Sequence, residues 1–143
     1  MARPVSLNKD LAVAKRAQID TVVSLLEPSE AEALGLADEQ DICVSLGLTF
    51  LSHPIRDMHL PDAALFAAFA RDIGARITGG HHVAIHCRAS IGRSGMLACA
   101  VLTYFGFDPE AALKHVSQQR KCPVPDTEEQ AAFVRSLIAS KQV

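Results

Sequence analysis

One stretch constrains this chain more than any other: Val83-Ala84-Ile85-His86-Cys87-Arg88-Ala89-Ser90-Ile91-Gly92-Arg93-Ser94-Gly95. A β-branched run stops at a cysteine, an arginine follows, and an apolar segment from Met96 to Phe105 comes directly after. The pattern predicts a strand, a tight loop and a helix. In such a loop the backbone N–H groups converge on one point, and the helix N-terminus adds its positive pole. That combination is an anion cradle.

The residue types suit chemistry at such a cradle. A thiol among converging donors, beside a guanidinium and a helix N-terminus, is stabilised as the thiolate, which is the nucleophilic form. Arg93 supplies a planar fork that fits two oxygens of a phosphoryl group. Gly92 lets the backbone approach an anion without a β-carbon in the way. Ser94 is placed to reach the sulfur and ease its departure from phosphorus, and His86 is placed to hold the neighbouring backbone. The phosphate would sit on the amides of Arg88, Ala89, Ser90, Ile91, Gly92 and Arg93.

His86-Cys87, five further residues, then Arg93-Ser94-Gly95 resembles the signature of the cysteine-dependent protein tyrosine phosphatase superfamily. The resemblance implies a phosphocysteine mechanism without metal or cofactor. Arg120, Pro123, Thr127 and Gln130 are similar to the arginine, proline and Thr-x-x-Gln run of many dual-specificity phosphatases. There Gln130 would orient the hydrolytic water, although it also suits the third position of a helix capping box. The likeness runs from about Thr21 to Phe133. The chain has no room for the strands and recognition loop that deepen the pocket of classical tyrosine phosphatases, so a compact, atypical dual-specificity or bacterial-type member is expected.

Such an enzyme needs an acid, because phosphate monoester hydrolysis is among the slowest uncatalysed reactions and the leaving oxygen must be protonated. His53-Pro54-Ile55-Arg56-Asp57-Met58-His59-Leu60-Pro61-Asp62 carries carboxylates upstream of the cysteine. It resembles the superfamily's acid loop and places the acid at Asp57. Asp62 is the rival, but its place before an apolar helix is that of an N-cap. His59 is a further possible donor.

At 143 residues and 49% hydrophobic content, the chain suits one phosphatase domain spanning 1–143 with a real core. A net charge of −2, with signs interspersed, recommends neither nucleic acid nor an anionic membrane as partner. No apolar run is long enough to span a bilayer and no signal-peptide core follows the first residues, so a cytoplasmic protein is expected. Cys43, Cys87, Cys99 and Cys122 lack metal-ligand spacing, and His81-His82 lacks a third donor. Cys43 is either a buried thiol or a redox partner of Cys87.

Along the chain, a short helix capped by Asn8 runs to Ala17, and a strand covers Thr21 to Leu26. Ser29-Glu30-Ala31-Glu32 reads as a capping box, a helical piece spans Asp38 to Leu46, and Thr49 to Ile55 returns to strand. The stretch from Asp62 to Ile77 is an amphipathic helix with Leu65, Phe66, Phe69 and Ile73 on its apolar stripe, stopped by Gly79-Gly80. Asp108-Pro109 starts a helix to about Arg120, and Thr127-Glu128-Glu129-Gln130 caps the last one. Alternating strands and helices give an α/β fold with a central, mostly parallel sheet flanked by helices, the reactive loop lying at a strand's carboxyl end. The Phe residues at 66, 69, 105 and 107 are expected in the core. Arg56, Arg88, Arg120 and Lys121 are expected either as a basic rim or as scattered surface charge.

Three functions compete. The first is a monomeric phosphatase of phosphorylated proteins, acting on phosphotyrosine and in some cases phosphoserine or phosphothreonine. The second is the same chemistry on a phosphoinositide or other small phosphoester, and the third a noncatalytic phosphate-binding module. Lipid-directed relatives tend to carry lysines inside the loop, whereas Arg88 is the one basic residue between Cys87 and Arg93 here. That favours protein substrates.

Overall fold

The computed structural model describes residues 1–137, so residues 138–143 of the expected 1–143 domain lie outside the described residues. In chain order the elements are α1 (Leu7–Arg16), β1 (Thr21–Ser24), α2 (Pro28–Ala33), α3 (Glu39–Ser45), β2 (Thr49–Ser52), α4 (Ala63–Thr78), β3 (Val83–His86), α5 (Gly92–Tyr104), α6 (Pro109–Arg120) and α7 (Glu128–Ser136). The strands form a parallel sheet in the order β2-β1-β3. Register aligns Ser24 with Ser52 on one side and with His86 on the other, so all three strands end at one edge. Parallel strands need crossovers, here α2 and α3 between β1 and β2, and α4 between β2 and β3.

β1 is central and every residue of it is buried. Its side chains alternate between faces. Val22 packs with Leu11, Cys43 and Leu48 beneath α1 and α3, while Val23 joins Phe66, Ile73, Met96, Leu97 and Val134 beneath α4, α5 and α7. Helix α5 is buried along most of its length, from Gly92 through Met96 and Leu97 to Thr103. It therefore carries the larger core and the reactive loop on one rigid rod.

Three caps follow their predicted chemistry. Asp62 accepts from the Leu65 amide at 2.9 Å, Asp108 accepts from Glu110 and Ala111, and Thr127 and Gln130 form a reciprocal capping box. The chain leaves α4 through Gly80, whose φ of +94° is glycine's territory. Asn8, however, lies inside α1, which starts at Leu7. The free amides of Val5 and Ser6 are taken instead by Asp10 Oδ2 at 2.8 and 3.0 Å, a carboxylate one turn in, where the helix pole favours it. The expected box at Ser29 is also absent: proline starts α2 at Pro28, and Ser29 falls inside it. Leu65 is exposed on α4, and Phe105 and Phe107 lie half in solvent at the turn after α5, outside the core expected for them.

Leu97 is fully buried between the sheet and the helices. Leu97→Ala is expected to lower unfolding stability by about 2–5 kcal/mol through lost transfer energy and a residual cavity, read as an earlier urea midpoint with an unchanged slope.

Candidate active site

Cys87 follows β3 directly and is 2% exposed. Arg88 and Ala89 are exposed at the loop's rim; Ser90 is buried with a left-handed φ of +59°, which turns the chain back toward α5. Ile91 precedes the helix and its carbonyl accepts from the Gly95 amide at 3.0 Å. A β-carbon on Gly92 would lie 2.5 Å from Asp126 Oδ2 and 3.1 Å from both polar atoms of the Gln130 side chain, so a larger residue would have to push the exposed Asp126 side chain aside. The hydroxyls of Ser90 and Ser94 are buried without a hydrogen-bond partner.

Arg93 is 1% exposed, and its guanidinium ties three parts of the chain together. Nη1 donates to Glu30 Oε1 at 2.7 Å and to the Ile55 carbonyl at 2.8 Å; Nη2 donates to Glu30 Oε2 at 2.8 Å and lies 3.2 Å from Asp57 Oδ1. Nε is buried with no partner. Burial works against the charge, but Glu30, then Asp57 and Cys87, outweigh it and push the Arg93 pKa up. The bond from Arg93 holds the Glu30 carboxyl below its ordinary value in turn, against a smaller opposing effect of burial.

His86 is fully buried at the strand end. Its Nε2 lies 2.6 Å from Glu39 Oε1 and its Nδ1 3.3 Å from the Cys87 carbonyl. Glu39, on the first turn of α3, is itself 2% exposed.

The Asp57 segment follows β2. The Ile55 amide donates to the Leu25 carbonyl at 3.0 Å and Ile55 itself is buried, which anchors the loop beside the end of β1. Asp57 then projects with about half its side chain in solvent. Met58 takes a left-handed φ of +63°, and His59 Nδ1 turns back onto the Asp57 carbonyl at 2.8 Å. Asp62 is spent on the α4 cap.

Gln130 fills the third position of the capping box expected for it. Oε1 accepts from the Thr127 amide at 3.2 Å, closing the capping box, while the buried Nε2 has no partner and lies against Gly92. Asp126, beside it, brings a second carboxylate to the loop that sequence patterning missed. Glu30, Glu39 and Arg3, whose Nη1 donates to the Arg88 carbonyl at 3.0 Å, were missed as well. A motif search along the chain has no signal for partners this remote; a buried charged residue in a short helix shows itself only in three dimensions.

The remaining candidates separate. Arg56 and Arg88 are exposed, but Arg120 lines a cavity of about 380 Å³ with Val83, Ile85, Ser90, Ser94 and Val124, and Lys121 is the left-handed C-cap of α6. His81 and the His82 amide bind Asp20, fastening the entry of β3. Cys43 packs in the cluster opposite that of Cys87, its thiol pushed up to about 11 by burial and by Glu39. Among the described residues no group of three metal-ligating side chains converges.

The family model described as "Swiss Army Knife protein, DSP-PTPase phosphatase domain" matches residues 1–141. Tk-PTP in its active form is similar at 30% identity, covering 96% of this chain and 86% of that one, with a TM-score of 0.81. Kinase associated phosphatase, solved with its catalytic-site cysteine replaced by serine, shares the fold at 20% identity and a TM-score of 0.91, covering 99% and 85%. PTPMT1, solved with PI(5)P, shares it at 19% and 0.78, covering 99% and 92%. The chain belongs to the DSP-PTPase family of the protein tyrosine phosphatase superfamily and is a cysteine-dependent phosphatase.

Proposed function

We propose that this phosphatase hydrolyses phosphotyrosine in proteins, and phosphoserine or phosphothreonine where they reach the thiolate, through a phosphocysteine intermediate. The observation that carries this reading is the 3.2 Å approach of Asp57 to the Arg93 guanidinium. It supports the reading by bringing a half-exposed carboxylate from a separate loop to the arginine of the loop that begins at Cys87.

In the proposed cycle the phosphate settles on the amides from Arg88 to Arg93 and takes the free Nε–H of Arg93, displacing Asp57 from Nη2. Cys87 attacks phosphorus in line, the P–O bond to the leaving group breaks, and Asp57 gives its proton to that oxygen. Ionised Asp57 then takes a proton from a water that attacks the phosphocysteine, releasing phosphate and the thiolate. The unpartnered Ser94 hydroxyl is free to donate to the departing sulfur, and the free amide of Gln130 is free to orient the water. Four free cysteines fit a reducing, cytoplasmic setting, and among the described residues no helix is long and apolar enough to cross a membrane.

Phosphate release from matched phosphotyrosine and phosphothreonine peptides and from phosphoinositide vesicles tests the substrate class. Peptide hydrolysis is expected, with Cys87→Ser lowering it by more than ~10⁴-fold; release confined to the lipid would transfer the assignment to phosphoinositides. Asp57→Ala is expected to lower kcat by about 10²–10⁴ with little change in KM and to flatten the alkaline limb of the pH profile. If Asp126→Ala carries that loss instead, the acid is Asp126.

Glu30→Ala frees the Arg93 fork and is expected to raise KM and lower kcat/KM at least about tenfold. Because the folded-state pKa of Glu30 is depressed, its stabilisation is complete above its ordinary 4.5 and is lost as pH falls through the lower folded value. The difference in Tm between the native protein and Glu30→Gln should therefore hold steady from neutral pH and shrink only in acid.

A further inference from the structure

The buried pair formed by Glu39 and His86 has no part in the proposed cycle. Both ring nitrogens of His86 face oxygens: Nε2 meets Glu39 Oε1 at 2.6 Å and Nδ1 meets the Cys87 carbonyl at 3.3 Å. A carbonyl only accepts. A neutral ring carrying its proton on Nε2 would aim the Nδ1 lone pair at that carbonyl, an arrangement with two acceptors and no hydrogen between them. The contact is satisfied only when Nδ1 holds a proton. A second proton must then lie between Nε2 and Oε1, on the ring as imidazolium or on the carboxyl as acid, and either way the pair carries no net charge. Such a pair is compatible with a thiolate on the adjoining residue; an ionised carboxylate beside a neutral ring would add an uncompensated negative charge beneath it.

We propose that Glu39 is a positioning residue for the reactive loop: it holds the His86 ring so that Nδ1–H pins the Cys87 carbonyl. The peptide that follows Cys87 is trans, so its carbonyl and the Arg88 N–H point in opposite directions. Pinning the carbonyl against His86 turns the Arg88 N–H away from the ring, toward the cradle side. Glu39 reaches this place from α3, 47 residues earlier in the chain, and both side chains are sealed from water. The inference rests on the phosphatase reading of the loop, but its effect on Cys87 is measurable without turnover.

Two substitutions and one direct observation test it. The amide of Glu39→Gln can donate to Nε2 and keep the proton on Nδ1, whereas Glu39→Leu offers Nε2 nothing. At pH 6.5, iodoacetamide labelling of Cys87, followed by mass spectrometry of its peptide, is expected to slow about tenfold or more in Glu39→Leu and to stay within about threefold in Glu39→Gln. kcat/KM on a phosphotyrosine peptide should follow the same order. A folded Glu39→Leu protein that labels at the native rate would overturn the assignment, as would Glu39→Gln slowing as far as Glu39→Leu. If Glu39→Leu does not fold, ¹⁵N-histidine NMR of the native protein decides: a protonated Nδ1 on His86 is expected, and a bare Nδ1 with the proton on Nε2 alone refutes the proposal. Loss of phosphatase activity on every substrate, with the labelling order intact, would count against the functional reading and leave the positioning role standing.

Discussion

The burial of the Arg93 guanidinium is the constraint on which the rest of the site depends. A charge removed from water at 1% exposure is tolerated only with matched partners, and removing one of them leaves the other charge uncompensated. Glu30 supplies a bidentate match, and the Ile55 carbonyl takes another N–H. One side chain thus fastens α2, the segment after β2 and the start of α5 to one another. Three strands ending in register make this possible, because they deliver Glu30, Asp57 and Cys87 to one edge of the sheet.

That network leaves Arg93 with its Nε–H unused, in a buried place where an unpaired donor costs about 1–3 kcal/mol. The hydroxyl of Ser94 and the amide of Gln130 are in the same condition. With the Ser90 hydroxyl, four buried polar groups around this loop lack a partner; in the proposed cycle an anion would meet donors that are already dehydrated, so its binding would not have to strip water from them.

How much of this was legible in the sequence follows from the range of each interaction. The alternating elements, the caps at Asp62, Asp108 and Thr127, and the strand-loop-helix around Cys87 depend on neighbours a few residues apart, and local patterning finds them. Resemblance singled out the segment around Asp57, whereas its approach to Arg93 had no signal along the chain. Glu30 misled, because Ser29-Glu30-Ala31-Glu32 has the letters of a capping box while Pro28 had already begun the helix. Its true partner lies 63 residues away. Phe105 and Phe107 misled in another way: they extend an apolar run past the point where α5 leaves the core, and hydrophobicity alone does not report where a helix ends.

Two glutamates, Glu30 part-buried and Glu39 buried, tie the connection between β1 and β2 to the reactive loop. A parallel crossover could be one continuous helix; here it is two short ones, α2 and α3, of six and seven residues. Neither is long enough to be stable alone. From α2 one carboxylate reaches Arg93, and from α3 a second reaches the base of the loop at His86. The two contacts differ: Glu30 is held ionised by a permanent cation, while Glu39 meets a buried imidazole. The short helices in turn draw order from these contacts, so this crossover and the reactive loop stabilise each other.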